Sequence, residues 1–421
     1  MLKGFKILMC LLIALSTAGC FDSNEVDDLA YIVSIGVDKG EVDRVRLTVQ
    51  YATFSQSVGG GGGIEGESDG TMIVTIDCPS LYTGLDMLST STSRRFNLFH
   101  IKYFVVSKEM AQQGEMDRYI NALIRYNEIR RNMFIFVSRG KARDFILENK
   151  PVLGDDIIKT IELAMEQAYR TGLIPYINIG RFNDALKSTT HQPVSVLVSK
   201  NDFKGLMEQA HIPRGEVSGG HHKAGEVPRR GGVKAELMGT AVFNGGTMVG
   251  ELKGDETRVF MMITGEYKRG FLTIPDPQKP DDIIVLDVRD ARRPTIKTDL
   301  SGNSPRIEVL IRLEGNIVST QSKINYESDD LQPILERAFE QEIKGRMDRL
   351  IAKTQKTFKS DIFNFGKYVS REFATIQQWE EYNWLGRYPQ AVVSTKVEFT
   401  IRRSGMMLET APAKQAEEEN Q

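Results

Sequence analysis

LAYIVSIGVDKGEVDRVRLTVQYATF, residues 29–54, holds two apolar runs separated by a short charged turn. In the second run Val45, Leu47, Val49 and Tyr51 alternate with Arg44, Arg46, Thr48 and Gln50. Successive side chains of a strand point to opposite faces. A period of two with one polar face therefore predicts a half-buried antiparallel strand, one arm of a hairpin. Downstream, strands at 72–76, at 101–106 and in MFIFVS (133–138) alternate with helices. The helices are expected after Ser80, over roughly 115–128, over 141–148 and over 155–170. This alternation reads as mixed α/β. VGGGGGIEGE (58–67) favours a loop, because glycine loses the most backbone freedom on ordering.

From 201 to 232 the composition changes. HIPRGEVSGGHHKAGEVPRRGG (211–232) is rich in Gly, Pro and charge, which predicts an exposed flexible linker. A second block, 233–405, opens with AELMGTAVFNGGTMVGEL (235–252), where Asn244-Gly245-Gly246 joins two apolar runs as a hairpin turn. Further strands are expected at 283–288 and 306–319. The longest helix follows, with Asp329 and Gln332 as a capping box and Pro333 in the first turn. Leu331, Ile334, Leu335, Ala338, Phe339, Ile343, Met347, Leu350, Ile351 and Phe358 recur mostly every three or four residues and make one apolar stripe. AVVSTKVEFTIRR (391–403) closes the block as a strand, and 406–421 reads as a disordered tail. The expected architecture is α+β: a mixed α/β multi-domain chain with antiparallel hairpins and a long helix in its C-terminal domain. Region 20–200 is divisible into two subdomains.

The N-terminus speaks to location. Lys3 and Lys6 precede an apolar run from Ile7 to Leu15, the length of a signal-peptide core and too short to span a bilayer. LSTAGC then places Ala18 and Gly19 before Cys20, as in a lipobox, so 1–19 reads as a signal peptide and Cys20 as the lipidation site. Two acyl chains of about fifteen methylenes, at ~0.8 kcal/mol each, supply on the order of 20 kcal/mol of anchoring. Cys10 leaves with the signal and Cys20 carries lipid, so Cys78 stays unpaired and no disulfide framework forms. With 54 basic and 56 acidic residues the chain has no overall pull toward nucleic acid.

No catalytic signature is present: no GxSxG elbow, no HExxH, no phosphate loop and no EF-hand. His221-His222, with His211 nearby, lie in a glycine-rich stretch that does not aim them at one point, so neither a metal nor a cofactor is expected. Asp155-Asp156 suit a helix N-terminus better than paired acid catalysis, because neighbours there diverge by about 100°. Arg94-Arg95 and Arg130-Arg131 read as surface turns, with contact to anionic lipid the alternative. Trp379 and Trp384, in IQQWEEYNWLGRYP, flank a helix end and read first as core; with Tyr388 they are the densest aromatic set, and a partner interface there is the alternative.

Several of these segments resemble one family. GCFDSNEVDDLAYIVSIGVDKG resembles the mature start of the Ger(x)C spore-germination lipoproteins, with a cysteine, an aromatic, acids and a strand ending Gly36-Val37-Asp38. GTAVFNGGTMVGEL resembles the hairpin that opens their C-terminal region. DIFNFGKYVSREF, the Trp379–Trp384 segment and VEFTIRRSG resemble their close. The likeness runs from about 19 to 405. Phe21 stands where tryptophan is common, Thr17 departs from the usual lipobox, and the insert at 58–67 is long. The resemblance implies a C subunit of a nutrient germinant receptor, of mixed α/β fold in three domains. It would sit on the outer surface of the spore's inner membrane beside two polytopic subunits, A and B. It implies no catalytic residues, and only the lipidated cysteine maps, onto Cys20. The rival reading is a solute-binding lipoprotein of a transporter, a class with two similar lobes around a cleft.

Overall fold

The computed structural model describes residues 28–52, 67–68, 70–151, 157–203 and 219–403, together with residues 4, 5 and 9. Cys20, the rest of the signal segment, Asp155, Asp156, His211 and the tail 406–421 lie outside the described residues.

The opening hairpin forms as expected, with β1 (Leu29–Lys39) and β2 (Val45–Ala52) antiparallel. It is the centre of a large sheet. After β3 (Glu67–Ser68) and β4 (Thr71–Cys78) come β5 (Arg95–Asn97), β6 (Tyr103–Ser107), β7 (Phe134–Ser138) and β8 (Val194–Lys200). Then β9 (Ala235–Asn244) and β10 (Thr247–Leu252) complete ten strands in the order β10-β9-β8-β7-β6-β1-β2-β4-β3, with β5 beside β1. The connecting helices are α1 (Leu81–Ser89), α2 (Lys108–Gln112), α3 (Met116–Arg125), α4 (Ala142–Glu148), α5 (Ile157–Thr171) and α6 (Ile179–Leu186). Ser80 caps α1, its hydroxyl accepting from Thr83 N.

The expected polar face of β2 is not solvated. Thr48 and Gln50 are buried, because α4 covers the face that α1 does not. Gly36 leaves room there for Ile146 and Ala142. The polar side chains are satisfied internally: Ser34 donates to Gln50 at 2.9 Å, Tyr103 donates to Gln50 at 3.2 Å, and Asn149 donates to Tyr103 at 3.1 Å.

The second sheet is built from β11 (Arg269–Pro275), β12 (Ile283–Asp299), β13 (Arg306–Thr320) and β14 (Val392–Arg403), in that order. The first three are antiparallel, whereas β14 pairs in parallel with β13 after a long crossover. Helix α7 (Gly254–Thr264) precedes this sheet, and α8 (Gln332–Lys353) packs along β14. Of the expected apolar stripe, Leu335, Phe339, Ile343, Met347, Leu350 and Ile351 are buried in α8, Leu331, Ile334 and Ala338 near its start are half-buried, and Phe358 is buried beyond its end. Its start differs. The helix begins at Gln332 with Leu331 as an uncapped N-terminal residue, because a turn closed on Ser328 O occupies 328–332 and Asp329 lies too early to cap. Gln332 instead donates to Ile401 O. The crossover ends in three short helices, α9 (Gly366–Val369), α10 (Ile376–Tyr382) and α11 (Trp384–Arg387).

Strand pairing crosses the expected boundary at 201–232. Val194 pairs with Val242 and Lys200 with Ala235, so the hairpin β9–β10 extends the N-terminal sheet. The described part of the expected linker is packed as well. Ala224 is buried and accepts from Arg139, Lys223 reaches Glu251 at 2.8 Å, and Arg229 holds Glu236 at 3.1 Å. Lys223, Glu226 and Arg229 find charged partners in Glu251, Arg139 and Glu236, which is why low apolar content does not leave it loose.

Candidate functional site

The aromatic set is not an exposed interface. Trp379, Trp384 and Tyr388 are 8%, 1% and 0% exposed. Each polar tip has an internal partner, as burial of Trp and Tyr requires. Trp379 donates to Thr189 at 2.8 Å, Trp384 donates to Asp361 at 2.9 Å, and the Tyr388 hydroxyl meets that of Thr354 at 2.6 Å. The three rings therefore fasten the crossover helices onto the rest of the fold. The exposed apolar group of this segment is Ile376, 72% exposed.

Asp361 is the hub beneath them. It accepts from Trp384, Phe363 N and Gly366 N, and its own carbonyl accepts from Gln192 N. Burial pushes its carboxyl up to about 6 despite these donors. Burial likewise raises Tyr388 well above the ordinary phenol range, with the Asp361 charge adding to it. The local signal was a lone acid set among Phe358, Ile362, Phe363 and Phe365, an environment that demands partners.

Beside this hub a cleft of about 320 Å³ opens between α6, the end of α7 and residues 362–368. Phe260, Ile263 and Phe363 give it apolar walls. Arg181 and Glu266 pair at 3.0 Å across one side. Asp184 and Lys367 face His191 but form no ion pair among the described residues. Burial lowers the His191 pKa, and Lys367 reinforces this against Asp184, so the ring is neutral at pH 7. The cleft can hold a small molecule by contact and charge. The hydroxyl beside the His191 ring, Thr190 Oγ1 at 3.1 Å from Nδ1, also donates to Asn364 at 2.9 Å.

The remaining candidates are scattered. His221 and His222 have rings 3.9 Å apart, and no group of three metal-ligating side chains occurs among the described residues. Arg94 precedes β5 and Arg95 is its first residue, while Arg130-Arg131 lie in the loop before β7. No described helix is long and apolar enough to cross a membrane.

Two family models cover most of this architecture. Residues 22–200 match the spore germination protein N-terminal domain, and residues 238–405 match the spore germination B3/GerAC-like C-terminal domain. The chain belongs to this family. Its role is that of a germinant-receptor C subunit in spore germination. Spore germination protein KC of Bacillus subtilis (strain 168) is 25% identical over 418 residues, covering 95% of this chain and 96% of the relative. Spore germination protein B3 of the same organism is 21% identical, covering 85% of this chain and 86% of the relative. The crystal structure of the GerBC protein superposes with a TM-score of 0.52 over 87% of this chain and 96% of that one; at 14% identity it supports the shared α+β fold. The family is not a known enzyme family.

Proposed function

We propose that the chain is a non-catalytic scaffold of the receptor, tethered by lipid on Cys20 to the outer face of the spore's inner membrane and bound to polytopic A and B subunits. The observation that supports this is the continuous ten-stranded sheet, which draws strands from both family regions into one unit. A fixed body offers partners one surface, and a specific interface of ~1,600 Å² is enough to hold an assembly. Trp379, Trp384 and Tyr388 serve such an interface from beneath, by setting the surface that carries Ile376. The lipid confines all partners to one membrane and raises their effective concentration.

The cleft favours a second reading, the solute-binding lipoprotein. Its unlike sheets of ten and four strands weigh against the two similar lobes of that class. One pair of experiments separates them: calorimetric titration of the purified mature chain with amino acids and sugars, and germination assays on spores lacking the gene. Weak or absent binding, with loss of the nutrient response and of partner subunits, is the expected result. Tight saturable binding transfers the case to the solute-binding reading, and normal germination without the gene removes the scaffold.

A further inference from the structure

We propose that the end of the large sheet where β1, β5, β6 and β7 begin is a docking surface for anionic phospholipid headgroups. These four strands are parallel neighbours, so their starts lie together. The loops there are interlocked: Lys102 N donates to Val33 O and Phe134 N to Lys102 O, both at 2.8 Å. Leu98 N donates to Glu128 at 2.8 Å. Two basic pairs 36 residues apart in sequence, Arg94-Arg95 and Arg130-Arg131, thereby come to one end of the molecule.

This end gathers several exposed arginines on neighbouring loops. Arg95, Arg125, Arg130 and Arg131 are exposed, and none of their guanidinium groups has an ion-pair or hydrogen-bond partner among the described residues. Some arginines elsewhere are matched, as in Arg46–Asp77, Arg269–Asp287 and Arg312–Glu398, while others, such as Arg292 and Arg293, are exposed and form no ion pair among the described residues. Glu128, the carboxylate of these loops, is spent on Leu98 N, and Lys102 is neutralised by Glu162. Four planar donor forks thus face solvent without an acceptor, and phosphate is the group they fit bidentately. Phe99, 43% exposed, projects from the same loops and suits the headgroup boundary.

Position points to a membrane as the source of that phosphate. Leu29 begins β1 at this end and pairs with Arg95. Eight residues lie between it and Cys20, and nine extended residue steps reach about 30 Å at most. A lipid on Cys20 therefore keeps this end near the bilayer. This placement rests on the reading of Cys20 as the anchor; the unmatched charge does not.

The test uses the mature chain, residues 20–421, carrying Cys20→Ser so that no lipid is attached. It is sedimented with vesicles of pure phosphatidylcholine and with vesicles about one third phosphatidylglycerol. Binding is expected to the anionic vesicles only, and to fall as salt rises from about 0.1 to 1 M. Each arginine near such a surface contributes roughly a fivefold factor. Arg95→Gln should thus lower partition roughly fivefold and the Arg130→Gln/Arg131→Gln double variant roughly thirtyfold. Arg269→Gln, on the other sheet, should leave it unchanged. The substituted side chains are exposed, so an unaltered unfolding midpoint confirms that the variants are folded. Equal binding to both vesicle types, wild-type partition by the variants, or full displacement by millimolar inorganic phosphate would overturn the proposal. Mass spectrometry of the full chain from membranes reads the anchor separately: lipid on Cys20 without vesicle selectivity sinks the docking surface alone, and vesicle selectivity without lipid sinks the anchor alone.

Discussion

The indole N–H of Trp384 donates to Oδ2 of Asp361 at 2.9 Å, with both side chains about 1% exposed. Gly366 N shares that oxygen at 3.1 Å, and an added Cβ at Gly366 would collide with the Trp384 ring. One buried acid thus ties the turn at 361–366 to α11, and through Gln192 to the large sheet.

That arrangement gives stability a pH dependence. The folded carboxyl titrates at about 6, above its ordinary value of 3.8, so the folded chain holds the proton more tightly than the unfolded chain. The contribution is full below about pH 4 and is lost as pH rises through 6. It amounts to about 3 kcal/mol across that interval, on the order of 1.4 kcal/mol per pH unit. Denaturant unfolding from pH 4.5 to 7.5 should show the wild type gaining on Asp361→Asn as pH falls. Parallel curves for the two would show that this carboxyl does not titrate in the window.

The free edge of β14 is closed by α8. Glu340 accepts from Phe399 N at 2.9 Å and Glu336 from Ile401 N at 2.7 Å. Either residue changed to Ala leaves a strand N–H without an acceptor and should cost about 1–3 kcal/mol. Glu→Gln keeps the acceptor oxygen and should cost less. Gel filtration of the double Ala variant should reveal concentration-dependent association through the opened edge; a monomer of unchanged stability would contradict this account.

Because β8 and β9 pair across the expected boundary, cutting the chain between them should not separate the halves. A specific protease site placed within 208–212 is cleaved, and the product is run on native gel filtration and on a denaturing gel. The expected outcome is one native peak and two denatured bands. Two native peaks would restore independent blocks.

The anchor is tested in cells. Cys20→Ala should abolish lipid attachment and move the protein from membranes to the soluble fraction when partner subunits are absent. Unchanged membrane content under those conditions would require another attachment.

Much of the fold was legible because local signals agreed with tertiary ones. The hairpins at 29–52 and 235–252 carried period-two patterns and turn residues, and α8 carried its stripe. What escaped was long-range. Nothing in Thr48 or Gln50 announces that α4 will cover them. Composition at 219–232 cannot reveal that Lys223 and Arg229 meet Glu251 and Glu236. Trp379 and Trp384 read as core aromatics at a helix end, but their N–H groups meet Thr189 and Asp361, partners that no spacing rule connects. The cleft is invisible in sequence for the same reason: α6, α7 and the segment after Asp361 lie far apart along the chain.

The parallel pairing of β13 with β14 joins Arg306 to Val392. Synthesis delivers the chain from its N-terminus, so the strand that finishes the small sheet is the last to arrive. Until it does, β13 has one side open, and Glu336 and Glu340 wait without the N–H groups they will cap. A premature stop between 353 and 392 therefore removes more than a tail. It leaves a finished ten-stranded half joined to an unfinished four-stranded one, and quality control in the cell has a ready way to tell a complete chain from a broken one.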